Sequence, residues 1–68
     1  SLRERMSQVL DRLHGEHFAL FTDLFEYSEG RSGVVVTFLA VLELIKASLV
    51  ELVQAEPFAP IHVRARAG

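Results

Sequence analysis

The stretch that most restricts what this chain can fold into is Val34 to Ile45, VVVTFLAVLELI, followed by Lys46. It is the longest apolar run, Glu43 is its single charge, and no Gly or Pro interrupts it. Val34, Val35, Val36 and Thr37 are β-branched and favour a strand, but a run of this length without alternation exceeds the usual strand of about five or six residues. Ser32 stands just upstream as an N-cap. A helix is therefore predicted. At about 100° per residue, the side chains of Leu44, Val41, Val34, Ile45, Phe38, Leu42, Val35 and Leu39 sweep an arc of roughly 220°. A helix lying on one core needs an apolar stripe only somewhat over ~100° wide. This one can fill a core and still leave apolar surface for another molecule. It falls short of the ~20 apolar residues of a membrane span.

Length and composition bound the rest. A chain of 68 residues makes one small domain, 1–68, and buries only about 60% of the surface its unfolded form exposes. Half of its residues are hydrophobic and none is Cys, so neither a disulfide nor a thiolate metal site supplements the core. The missing Cys suits the cytoplasm, and no signal-peptide pattern is present. A first residue that is Ser rather than Met leads us to expect the C-terminal fragment of a longer protein. The net charge of −2 argues against nucleic acid, because non-specific binding to phosphates rests on a Lys- and Arg-rich footprint.

In chain order, Ser1 to Leu13 reads as an amphipathic helix. Leu2, Met6, Val9, Leu10 and Leu13 share one face, and Arg3, Glu4, Arg5, Gln8, Asp11 and Arg12 the solvated other. Ser1 with Glu4 has the form of a capping box, and Gly15 is a stop. EHFALF is then a short extended or turning connection whose Phe18 and Phe21 plug the core. Thr22 caps a brief second helix, Asp23 to Glu26 or Tyr27, with Leu24 and Phe25 inward. YSEGRSG is a turn before the long helix. Leu49 to Gln54 and Ile61 to Arg66 read as strands, separated by the proline-stiffened loop Ala55-Glu56-Pro57-Phe58-Ala59-Pro60. Three helices followed by a β-hairpin make an α+β winged-helix domain, in which the second and third helices form a helix-turn-helix and the two-stranded hairpin is the wing.

The run Val34 to Arg64, VVVTFLAVLELIKASLVELVQAEPFAPIHVR, resembles the C-terminal winged helix of kleisins, and among them the ScpA family of bacterial segregation and condensation proteins. The helix core TFLAVLELIK, the strand LVELVQ and the loop Glu56-Pro57-Phe58 stand in that family's order, and Phe21-Thr22-Asp23-Leu24-Phe25 looks like its aromatic-x-x-Leu-Phe segment. The resemblance implies non-enzymatic scaffold work. Kleisins bridge the two ATPase heads of a structural-maintenance-of-chromosomes (SMC) dimer, and their C-terminal winged helix docks on the outer side of one head. It also implies a ScpB-type partner bound through regions absent here, and a nucleoid-associated location. In kleisins an aromatic and a Leu one turn apart on this helix contact the head, which maps onto Phe38 and Leu42. Leu39 and Val35, at the arc's edge, are the next candidates, followed by Phe58 and Ile61 on the loop and strand.

Other constellations read as surface or core. His14, Glu16 and His17 lack a third metal ligand at a convincing spacing. Neither paired carboxylates, a Gly-rich phosphate loop nor a nucleophile triad stands out, so neither catalysis nor a cofactor is expected. A winged-helix DNA binder is the principal rival. Its recognition helix would need Arg, Lys, Asn or Gln facing the groove, and Val34 to Ile45 offers none. A homodimer closed by the spare apolar surface is a third reading.

Overall fold

In the computed structural model, which describes residues 1–14 and 18–66, two α-helices pack on one three-stranded antiparallel sheet. Helix α1, Leu2–His14, opens with the Ser1 hydroxyl accepting from the Glu4 backbone N–H at 3.2 Å. The Glu4 carboxylate accepts from that same hydroxyl at 3.4 Å instead of closing the reciprocal backbone bond of a full capping box. The apolar stripe lies as the spacing predicts, with Val9 and Leu13 buried and Met6 and Leu10 packed beside them.

The expected second helix does not form. In its place stand two short 3-10 turns, Phe21–Leu24 and Tyr27–Glu29, joined by extended backbone at Phe25. Thr22 lies inside the first turn, and neither turn has a side-chain cap. A stretch of five or so residues cannot recover the cost of nucleating an α-helix, and i→i+3 bonds are what so short a piece can make. Leu24 still reaches the core, and the Phe25 ring meets that of Phe21 edge-on at 5.0 Å.

The long helix, α2, runs Gly30–Lys46 and so begins four residues before the apolar run. Ser32 is part of its first turn rather than its cap; the N-cap is Glu29, with no side-chain bond. Gly30 takes a positive φ of 78° at the joint with the preceding turn. Gly33 is buried against Glu29, where an added Cβ would collide with the Glu29 Cβ and carboxylate. That close approach brings Glu29 to Arg5 of α1, an ion pair at 2.8 Å. The helix ends in a Schellman motif: Leu49 N–H donates to Leu44 O and Ser48 N–H to Ile45 O, both at 2.9 Å, with Ser48 in the left-handed region at φ 61°.

The sheet has the order β1-β3-β2, so the last strand is central. β1 is Ala19–Leu20, β2 Val50–Val53 and β3 His62–Ala65. Ala19 and Leu52 flank Val63 in register, and Leu20 and Val53 flank His62. The predicted two-stranded hairpin is thus a three-stranded sheet, because Ala19–Leu20, within the expected connection, form an edge strand. Strand alternation also corrects Phe18. With Ala19 turned inward, its neighbours Phe18 and Leu20 face the other way. Phe18 does not plug the core; its ring meets His62 edge-on at 6.0 Å and lies 5.5 Å from the Arg64 guanidinium carbon. Arg64 in turn pairs with Glu51 across the strands. The core proper is Val9, Leu13, Ala19, Leu24, Ala40, Val41, Leu44, Val50 and Val63.

Candidate functional site

Helix α2 carries two apolar stripes. Gly33, Thr37, Ala40, Val41 and Leu44 are buried, and Val41 and Leu44 join the core cluster with Val9 and Leu13 of α1 and Val50 and Val63 of the sheet. Val35, Phe38, Leu39 and Leu42 recur at i, i+3, i+4 and i+7 and are 49%, 46%, 46% and 40% exposed. At about 100° per residue the centres of the two stripes lie roughly 165° apart. The surplus of apolar arc is therefore real surface on the far side of the helix. A dilute rim charge, the Glu43–Lys46 pair at 3.6 Å, borders it.

Beside this stripe lies a groove of about 220 Å³. Phe38, Val41, Leu42 and Ile45 line it from α2, Leu52 from β2, Ile61 from just before β3, and Phe21 from the first 3-10 turn. Each side chain is apolar, so the groove can hold a hydrophobic group but supplies no acid, base or ligand. Its shape follows from the register. Leu52 points to the inner face with Val50 and Val63, but it sits at an outer edge where the helix does not cover it, and it stays 47% exposed. Phe21 braces the opposite wall, its ring edge-on to Phe38 at 6.4 Å and its N–H donating to Ile61 O at 2.9 Å.

The sequence-derived candidates thus separate. Phe38, Leu42 and Ile61 come together at the groove, and Val35 and Leu39 extend the stripe along α2. Phe58 stands apart on the loop, wholly exposed, so it is no lid on its own core. Leu52, Ile45 and Phe21 line the groove without having been singled out. For Leu52 the signal was available: in a strand through Val50–Val53 it shares the face of Val50.

Elsewhere a polar cleft of about 230 Å³ is lined by Arg5, Gln8, Arg12, Glu26 and Glu29, with Val9 and Leu24 at its base. The hydrogen bond to Glu29 holds the Arg5 guanidinium above its ordinary value, so that pair is internally satisfied. Of the weighed metal ligands, His14 ends α1 with its side chain exposed, while Glu16 and His17 lie outside the described residues. Among the described residues no group of three or more His, Asp or Glu is placed to hold a metal ion, and no helix is long and apolar enough to cross a membrane.

The family model of segregation and condensation protein ScpA matches residues 1–65. The chain is similar to segregation and condensation protein A of Coxiella burnetii, 61% identical over 66 residues, which is 97% of this chain and 25% of the relative. It is similar to the protein of the same name from Listeria monocytogenes serotype 4a, at 47% identity over 97% of this chain and 27% of the relative. The Xylella fastidiosa protein of that name is 46% identical over 98% of this chain and 22% of its own length. The chain spans about a quarter of the length of these relatives. The match runs from the first helix to the last strand, and the chain belongs to the segregation and condensation protein ScpA family.

Proposed function

We propose that this domain docks on the ATPase head of an SMC protein through the outer stripe of α2, as part of a complex that condenses and segregates the bacterial chromosome. The observation that carries the reading is the exposure of Phe38 and Leu42, one turn apart on α2 and flanked by Val35, Leu39 and Ile61, in a protein of the ScpA family. β2 and β3, joined by the 54–61 loop, form the wing-like hairpin beside this face. Between Val34 and Ile45 α2 offers no Arg, Lys, Asn or Gln to read base edges, so its surface suits protein rather than a DNA groove. The work is structural rather than catalytic, in the cytoplasm on the nucleoid. A ScpB-type partner binds parts of the protein outside these residues.

Burying one such anchor contributes about 1.5 to 3 kcal/mol, enough to move affinity tenfold or more. Phe38→Glu and Leu42→Glu, each placed in the full-length protein, abolish capture of the head. Far-UV circular dichroism and the melting curve serve as folding controls, since unfolding would mimic the loss. Folded charged variants that still capture the head would show that the assigned face is wrong. Tight, salt-sensitive DNA binding by the wild-type protein would favour the nucleic-acid reading instead.

A further inference from the structure

Phe58 combines two features that its own domain does not explain. Its ring is wholly exposed, in a chain whose other aromatic side chains are all at least partly covered. Its backbone also lies in the left-handed region, at φ 69°. A positive φ is uncommon for any residue with a Cβ and is an outlier for a bulky one. The cause is the turn. Ala59 N–H donates to Glu56 O at 3.0 Å, closing a four-residue turn with Pro57 second and Phe58 third. A proline followed by a positive φ is the form of a type II turn, whose third position is ordinarily Gly or Asn. Gln54 Nε2 fastens the loop from outside by donating to Ala59 O at 2.8 Å.

The turn is therefore held in place, and it holds an aromatic residue where the backbone favours glycine and where solvent surrounds the ring. Strain of this kind persists where it serves a site. Three residues later Ile61 lines the apolar groove, with its carbonyl bonded to Phe21 N–H. The Glu56–Ala59 turn is thus joined through Pro60 to Ile61 in that groove. We propose that the Glu56–Ala59 turn is a preset wedge that inserts the Phe58 ring into an apolar, aromatic-sized pocket on the same ATPase head that covers the α2 stripe. The inference rests on the docking reading above. Presetting the ring spares the complex the ordering of a loose loop at the moment of binding, which is where preorganisation gains affinity.

The test titrates the isolated SMC head with the full-length protein carrying Phe58→Gly, Phe58→Asn or Phe38→Glu, and records melting curves of the same preparations. Gly and Asn both accept the left-handed backbone and both lack the ring. Each weakens head binding about tenfold or more, and Phe58→Gly raises Tm by about 4 °C or more. If either Phe58 variant binds like wild type while Phe38→Glu does not bind, the wedge is refuted and the docking face stands. If wild-type protein fails to bind the head, both fall together. A Tm for Phe58→Gly at or below that of wild type refutes the stored strain. If the Phe58 variants instead dissociate a homo-oligomer seen by sedimentation, the pocket belongs to a second copy and not to the head.

Discussion

On the inner side of α2 stand Gly33, Thr37, Ala40, Val41 and Leu44; on the outer side stand Val35, Phe38, Leu39 and Leu42. The buried set is the smaller in volume and the exposed set the bulkier. Hydrophobicity alone would place them the other way round. What decides is distance: α1 packs close across α2, and the residues that fit between the two backbones are small. The larger apolar side chains are left on the side that the rest of the domain covers only in part. For a chain with so little interior, keeping a Phe and two Leu largely outside forgoes stability, a cost that the proposed docking role accounts for.

This contrast makes measurable claims. The largest effect belongs to Leu44, fully buried at the centre of the inner stripe. Leu44→Ala destabilises by about 2 to 5 kcal/mol, read as a lowered denaturant midpoint, and a loss under 1 kcal/mol would mean that the inner stripe is not the core. Thr37 sharpens the comparison with a smaller change of opposite sign. Its side chain is buried and its Oγ1 has no hydrogen-bond partner among the described residues. Thr37→Val removes an unpaired hydroxyl from the interior and stabilises by about 1 kcal/mol; a destabilised variant would indicate a bond to that hydroxyl in solution. The smallest shift is on the outer side, where Leu39→Ala alters the unfolding free energy by about 0.5 kcal/mol or less. A loss comparable to that of Leu44→Ala would erase the distinction between the stripes.

How far the sequence reveals this arrangement depends on the range of the forces involved. The 3.6-residue period of Leu2, Met6, Val9, Leu10 and Leu13 is local, and α1 forms as read. The long apolar helix is legible for the same reason, as is its excess of apolar arc. Its start at Gly30 is not, because Gly-Arg-Ser-Gly has no periodicity and is wound into the helix by the packing of Glu29 on Gly33 and Arg5. The edge strand Ala19–Leu20 is also hidden. Two residues carry no alternation pattern, and only pairing with His62 and Val63, more than forty positions away, makes them a strand. The candidate site divides likewise. Helical geometry puts Phe38 and Leu42 in the wide apolar arc and the family resemblance singles them out there, whereas Leu52 and Phe21 enter the groove through sheet register and a 3-10 turn. The positive φ of Phe58 is a property of the folded turn that Pro57 hints at without revealing.

The order β1-β3-β2 places the final strand between the other two. During synthesis a ribosome adds His62–Ala65 after both Ala19–Leu20 and Val50–Val53, and neither earlier segment has a strand to pair with until it emerges. Assembly of the sheet therefore waits on translation of the far end, and a nascent polypeptide stalled before His62 leaves both outer strands open to chaperones and proteases.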